Sequence, residues 1–469
     1  MTERVSLGPF ETAWMRVDAV DHMAITRAMA PIRPAHLFAR CSRLKNYVDR
    51  EFRWALLGNI IYSMCQWAFV VVLAKLGSPA DVGAYALGLA ITSPILMFAN
   101  FQGRNLIASD VRDEYSFGEH LSFRALSLTL ALLAVFVVIA STQSSWALGA
   151  VIFLVGVGQC FDYASETYFG VLQKHNLLNR VSLSLILKGS LCFVLLTVAM
   201  YTTRNVLWAV AALAIGRCLV FWFFDTRNAA VVGSYRLVWK YAVQKKLFFT
   251  ALPLGVISGL CALNLNIPRY FVEGDLSKHD LGIFSALASL VGAGNLVIAA
   301  LASCNIVGLA RAWVDRDTVR YRSLSLQLFA VSALLGSAGV LVALLAGGKL
   351  LTLLFRPDYG SNAGVLARIM VAGALGYVVS AQGYAMTAAR RLMSQIPLLM
   401  STTGFTTLFS WYLVPKRGLE GAAEAWMLGS FFQLACNTVL MARISSKAEP
   451  LPACQSEPNI PAAERVNAG

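Results

Sequence analysis

The stretch Trp54 to Leu76, WALLGNIIYSMCQWAFVVVLAKL, decides the fold class. It carries no charge before Lys75. At a rise of about 1.5 Å per residue it is long enough to cross a hydrocarbon core of about 30 Å as a helix. A helix satisfies its own backbone amides, which lipid cannot do, so the segment reads as a membrane span. Similar apolar blocks follow at about Gly83 to Phe101, Ala125 to Ser141, Trp146 to Phe169, Val181 to Tyr201 and Val206 to Phe224. A second set lies at about Leu247 to Ile267, Leu281 to Leu309, Leu324 to Ala346, Ala363 to Ala388, Ile396 to Val414 and Gly421 to Met441. The expectation is an all-α polytopic membrane protein of about twelve transmembrane helices.

Composition agrees. Hydrophobic residues make up 57% of the chain and charged ones 14%, with a mean hydropathy of +0.63; soluble domains carry roughly 25% charge. The net charge of +14 would suggest nucleic acid in a soluble protein. Here the basic residues flank apolar blocks, where they set topology, so the expected partner is the lipid bilayer and not nucleic acid. The nine cysteines occur singly, without a CxxC pair, and most fall inside apolar blocks. They read as small core hydrophobes. The five histidines fall in expected loops or near the N-terminus, so no helix-borne HExxH-type metal site is expected, and neither is a cofactor.

Placing the N-terminus in the cytoplasm puts sixteen loop Lys and Arg residues on the cytoplasmic side, among them Arg104, Arg124, Lys174, Arg180 and Arg236. The opposite loops hold eight: Lys75, Arg204, Arg269, Lys278, Lys349, Arg356, Lys416 and Arg417. The positive-inside rule therefore predicts cytoplasmic termini. The expected organisation is a cytoplasmic tail over residues 1–53, an N-lobe over 54–226, a basic cytoplasmic connector over 227–246, a C-lobe over 247–443 and a cytoplasmic tail over 444–469. No run in the first 53 residues has the length of a signal-peptide core.

An internal repeat supports two halves. Asp81-Val82-Gly83-Ala84-Tyr85 enters the second span and Asp280-Leu281-Gly282-Ile283-Phe284 the eighth, 282 − 83 = 199 residues apart. An internally duplicated transporter has such a repeat at the same place in each six-helix set.

Several stretches carry a family likeness: Gly58-Asn59-Ile60-Ile61-Tyr62, then Gly83 to Ile91 with Pro94, Arg104 and Asp110. Ala251-Leu252-Pro253-Leu254-Gly255, Asn266 to Phe271, Leu281 to Phe284 and Gly418 to Ala423 add to it. Across roughly Trp54 to Arg443 the chain resembles the polysaccharide-biosynthesis, O-antigen-type flippases of the multidrug/oligosaccharidyl-lipid/polysaccharide (MOP) exporter superfamily. The resemblance implies a MATE-like fold of two six-helix lobes related by pseudo-two-fold symmetry around a central cavity. It also implies a flippase, not an enzyme, that moves polyprenyl-diphosphate-linked oligosaccharide across the bacterial inner membrane by alternating access. The long segment before the first span departs from the family pattern.

Ionisable groups inside spans are costly and mark functional candidates. Asp162 and Glu166 share one face of the fourth span, with Lys188 on the fifth and Arg217 on the sixth. Glu166 lies seven residues before Gln173, Lys188 eight after Arg180 and Arg217 eight before Asp225, which puts them at similar depth. Two readings stand: cations in a cytoplasm-facing cavity that attract a diphosphate, with an acid carrying a coupling H+ or Na+, or a structural ion pair within the lobe. Asn264, Asn266 and Arg269 cluster near the outer end of the seventh span as cargo candidates or as interhelical glue. Arg368 reads as snorkelling to the headgroups. Pro94 in the second span and Gly292 and Gly294 in the eighth are gate candidates, or static kinks.

Two alternatives differ in what they require. A cation-coupled small-molecule exporter of the same superfamily needs an acidic, aromatic-lined cavity. A membrane-embedded glycan polymerase or glycosyltransferase normally shows a large extracytoplasmic loop, and none is expected here.

Overall fold

A computed structural model describes residues 34–110, 114–142, 145–175, 177–229, 236–389 and 393–447. The chain divides into two units, Met1–Arg53 and Trp54–Gly469. In the first, the described residues are helical from Pro34. Most of the expected N-terminal tail, residues 230–235 of the connector and the tail beyond Lys447 lie outside the described residues.

The helices are α1 (Pro34–Leu76), α2 (Pro79–Asn100), α3 (Gly103–Ser109), α4 (Phe117–Ser141), α5 (Trp146–Lys174), α6 (Leu178–Thr203), α7 (Val206–Val220) and α8 (Thr226–Ala229). There follow α9 (Tyr241–Asp275), α10 (Lys278–Val314), α11 (Thr318–Leu354), α12 (Pro357–Gly360), α13 (Ala363–Ala388) and α14 (Gln395–Lys447). Among the described residues, eleven helical segments are long and apolar enough to cross a membrane. The last contains two expected spans, because α14 is broken at Gly418, whose φ of 58° and ψ of −134° leave the helical region. Glycine reaches that conformation without a Cβ clash.

Helix starts follow local chemistry. Ser78 caps α2 and shares a capping box with Asp81, with Pro79 in the first turn. Ser277 caps α10 by accepting from the Asp280 amide. Large apolar side chains on the outer faces stay exposed, such as Phe136 at 59% and Leu345 at 77%, as lipid-facing positions require.

The two halves of the repeat meet. α2 packs on both α9 and α10. At that contact a Cβ on Gly83 would run into the Lys278 carbonyl, and one on Gly282 into the Pro79 carbonyl. Each glycine thus lies against the residue four before the other, a reciprocal contact of the kind a two-fold axis generates. Val82, Tyr85, Leu281 and Phe284 around the crossing belong to the largest buried apolar cluster. At the repeat Asp-x-Gly the backbones of the two lobes are in close contact, and only glycine permits that approach.

Candidate transport cavity and buried ion pairs

The N-lobe gathers its spanning charges into one closed cluster. Lys188, only 2% exposed, places Nζ 3.4 Å from Asp225 Oδ2 and 3.5 Å from Asp162 Oδ1. It also donates to Ser165 Oγ at 2.7 Å and lies 5.5 Å from the centroid of the Phe169 ring. Arg217, on α7, places Nε 3.1 Å from Asp162 Oδ2. Asp162 accepts a further hydrogen bond from the Tyr62 hydroxyl at 3.3 Å, and Asp225 accepts from Ser165 at 2.6 Å and from Ser184. Two cations thus face two carboxylates; hydroxyls bond both oxygens of Asp225 and Asp162 Oδ2, while Asp162 Oδ1 has only the Lys188 charge beside it. Glu166, one turn beyond Asp162, accepts instead from Asn100 Nδ2 at 2.9 Å.

Asp225 is the member that the sequence did not reveal. Its spacing suggested the cytoplasmic end of a helix, yet it is 1% exposed. A π-helical turn over Phe221–Asp225 continues α7 and carries the carboxylate inward, and such turns recur at functional positions. Two other expected loop residues are also buried. α4 starts at Phe117, so His120 and Arg124 fall in its first turns, both about 5% exposed or less. Arg124 donates to the Asn100 carbonyl at 2.9 Å and to Thr167 Oγ1 at 2.9 Å, closing the C-terminal end of α2 where helix carbonyls lack partners. Arg104 bonds Gln173 Oε1 at 2.9 Å. Arg368 does not simply snorkel: it pairs with Glu420 at 3.1 Å and Glu424 at 3.4 Å.

The C-lobe is built differently. A cavity of about 420 Å³ is lined by Ser258, Cys261 and Asn264 of α9, Asn295 of α10, Gly376 and Tyr384 of α13, and Gln395, Trp426 and Asn437 of α14. Met97 and Gln102 reach it from the N-lobe. None of its described lining residues is charged. Gln102 donates to Ser258 Oγ at 3.1 Å across the lobes. It and Phe101 hold φ of 47° and 48°, a left-handed conformation that costs each roughly 1–2 kcal/mol without glycine. Packing of Phe101 against Phe98, Phe123 and Phe248 holds that turn in place.

Of the expected cargo residues, Asn264 lines this cavity, whereas Lys188 and Arg217 are not among its lining residues. Asn266, 5% exposed, is occupied: it donates to the Ala262 carbonyl and accepts from Arg269 Nη1 at 2.6 Å. Arg269 Nε is buried without a hydrogen-bond partner, and no carboxylate pairs with Arg269 among the described residues. Its neighbour Tyr270 donates to the Ala90 carbonyl of α2. Ala90 lies about two turns inward from Gly83, and neither Arg269 nor Asn266 is among the cavity's described lining residues. Of the gate candidates, Pro94 lies in α2 where Gly259 of α9 packs. Gly292 has open space beside it, and Gly294 sits under the Tyr377 ring, whose hydroxyl donates to the Val291 carbonyl at 2.7 Å.

No protein-family profile matches the chain. The capsular polysaccharide biosynthesis protein CapF of Staphylococcus aureus is 26% identical over 392 residues, covering 82% of this chain and 97% of that protein. Among solved structures, an inward-facing multidrug resistance MATE family transporter of the MOP superfamily matches at a TM-score of 0.66 and 13% identity, over 83% of this chain and 96% of that one. The MATE multidrug transporter DinF-BH matches at 0.64 and 14%, over 85% and 95%. An outward-facing MATE family transporter matches at 0.59 and 16%, over 86% and 96%. The chain is a multi-pass membrane protein with the fold of the MOP-superfamily transporters, and the likeness to CapF agrees with its resemblance to the polysaccharide-biosynthesis type.

Proposed function

We propose that the protein is a flippase for polyprenyl-diphosphate-linked oligosaccharide in a bacterial inner membrane, with both termini in the cytoplasm. One observation carries the reading: the lobes touch through the glycine crossing at one end, while the cavity lies toward the other ends of the same helices. With the expected orientation, the crossing seals the outer side and the cavity faces inward. The higher similarity to the inward-facing transporter, 0.66 against 0.59, supports this state. Separation of α2 from α10 at Gly83 and Gly282 would open the outer side, in the manner of alternating access. Pro94 and Gly294 lie on these two helices as the bending points.

In this scheme the glycan occupies the cavity and the lipid tail stays in the bilayer between the lobes. Arg269 supplies the cation for the diphosphate, since a charged donor without a protein counter-ion is available to an anion. The Asp162–Lys188–Asp225–Arg217 cluster holds α5, α6 and α7 together, and Asp162, 21% exposed at its side chain, is where a coupling H+ or Na+ would enter.

A deletion strain tests the assignment. Lipid-linked glycan should accumulate on the cytoplasmic face, and Arg269→Ala protein present at normal level should not clear it. Undisturbed glycan traffic in the deletion strain would overturn the flippase reading. Full clearance by the variant would remove Arg269 from it.

A further inference from the structure

The connector between the two halves carries a surface that the transport scheme leaves unused. Residues Arg236 to Lys240 run without helix into α9, and Lys240 itself has an extended backbone. Side chains along an extended chain point alternately to opposite sides. Val238 and Lys240 turn toward the start of α4. The Val238 amide donates to the Gly118 carbonyl at 3.3 Å, a Cβ on Gly118 would run into the Val238 side chain, and Lys240 Nζ lies 3.0 Å from Glu119 Oε1. Leu237, Trp239 and Tyr241 turn away, at 66%, 58% and 74% exposure. α9 prolongs this outer edge: Tyr241, Lys245, Phe248 and Phe249 are exposed and share one helical face. The adjacent face is buried at Gln244 and Leu247, and Gln244 Nε2 donates to the Glu119 carbonyl at 3.1 Å. The strap is thus fastened along its inner side and apolar along its outer side.

Its depth tells what covers it. The apolar block of α9 opens at Leu247, so Lys245 lies about 3 Å and Tyr241 about 9 Å of helix outside the hydrocarbon. The headgroup layer is roughly 5–8 Å thick on each side of the core. Aromatic rings beside Lys and Arg at that level anchor a segment to the membrane surface. A soluble partner would have to reach Leu237 and Trp239 through the headgroups.

Charge narrows the lipid. Residues 229–249 contain Arg236, Lys240, Lys245 and Lys246 and no acidic residue. Lys240 and Lys246 are engaged by Glu119 and Glu114. Arg236 and Lys245 remain exposed on either side of Trp239 in the chain, Lys245 between Tyr241 and Phe249 on the outer face.

We propose that the edge Leu237–Trp239–Tyr241, flanked by Arg236 and Lys245, is a docking surface for anionic phospholipid of the surrounding leaflet. The strap is pinned to α4, and its continuation α9 packs on α14, so lipid held there sits on the link between the two halves. The inference holds for any cargo and does not depend on the flippase reading.

The full-length protein in nanodiscs is photolabelled with phosphatidylglycerol or phosphatidylcholine carrying a diazirine next to the glycerol, and labelled peptides are quantified by mass spectrometry. Peptides covering residues 236–249 should take about fivefold more label from the phosphatidylglycerol probe for each cation that engages it, the equivalent of about 1 kcal/mol. The stretch around Trp146, 88% exposed with no charged residue between Arg124 and Asp162, should label equally with both probes. Arg236→Ala with Lys245→Ala should bring the ratio at the strap to about one. Wild-type protein in about 1 M NaCl, where the Debye length is about 3 Å, should do the same and covers the case in which the double variant does not fold. A ratio of one in the wild-type protein at low salt would overturn the inference, and so would a preference that survives both the double variant and high salt. Absence of label from either lipid, with the strap open instead to a water-soluble carbene source, would also overturn it and leave the edge to water or to a soluble partner.

Discussion

The two lobes answer the same problem of polar groups in lipid in opposite ways. In the N-lobe, Lys188, Arg217, Asp162 and Asp225 close on one another, with Ser165 and Ser184 bonding Asp225. In the C-lobe, the polar residues around the cavity are uncharged, and several of their atoms have no protein partner. Unpaired buried polar atoms occur in both lobes, Gln159 Oε1 and Asp162 Oδ1 among them in the first; what differs is charge, cancelled in the N-lobe cluster and absent from the described cavity lining. Duplicated halves have thus separated into a firm half and a receptive half, joined by the glycine crossing.

The largest effect is expected from breaking the firm half. Asp225→Ala leaves Lys188 buried beside a single shared carboxylate, and loss of one partner of a buried pair costs about 3–5 kcal/mol. The melting temperature of the purified protein should drop sharply. Replacing both groups, Lys188→Met with Asp225→Leu, should recover most of that stability, because a packed apolar pair is often neutral relative to an ion pair. If the double variant folds and still moves glycan, the cluster is scaffold. If it folds and moves none, the cluster belongs to the transport cycle.

The next effect concerns the joint. Gly83→Val should force α2 from α10 at a cost of about 1–3 kcal/mol, typical of overpacking, and should expose the outer side. A cysteine at Val82, now 1% exposed, should then become reactive to a membrane-impermeant maleimide added from outside. Unchanged protection would show that the crossing is not the outer seal.

In the receptive half, Arg269→Ala should weaken binding of diphosphate-bearing cargo by about 1.5–3 kcal/mol, the value of a charge-assisted hydrogen bond, with little change in melting temperature. A large fall in stability with unchanged binding would make Arg269 structural. The smallest effect belongs to Arg368→Ala. Its pair with Glu420 is half-exposed on both sides, and such pairs contribute about 0–1 kcal/mol. A loss well beyond that range would mean that the outer end of α13 and α14 couples to the cavity.

The spans were legible because hydropathy acts locally: the block Ala363 to Ala388 coincides with α13. The repeat was legible as well, since Gly83 and Gly282 stand in matching motifs, although nothing in the two stretches says that they touch. The candidate site was less so. Spacing placed Glu166, Lys188 and Arg217 at one depth, yet it is Asp162, one turn away on the same face, that meets the two cations, while Glu166 bonds Asn100 and Asp225 was hidden by a π turn that regular helical counting does not contain. Gln395 and Asn437 gave no signal, because uncharged amides are ordinary in spans and only their missing partners make them notable. His120 and Arg124 looked like loop residues because α4 begins well before its apolar run.

By itself, the sequence determined that lipid is the solvent, how many helices cross it and that they fall into two related halves. These follow from segment length, composition and repetition along the chain. Which charges cancel, which residues line the cavity and where the halves lock together were decided only by the tertiary structure. Those outcomes depend on helix phase and on contacts between residues as far apart as Lys188 and Asp225, or Gly83 and Gly282, and neither quantity is written in any single segment.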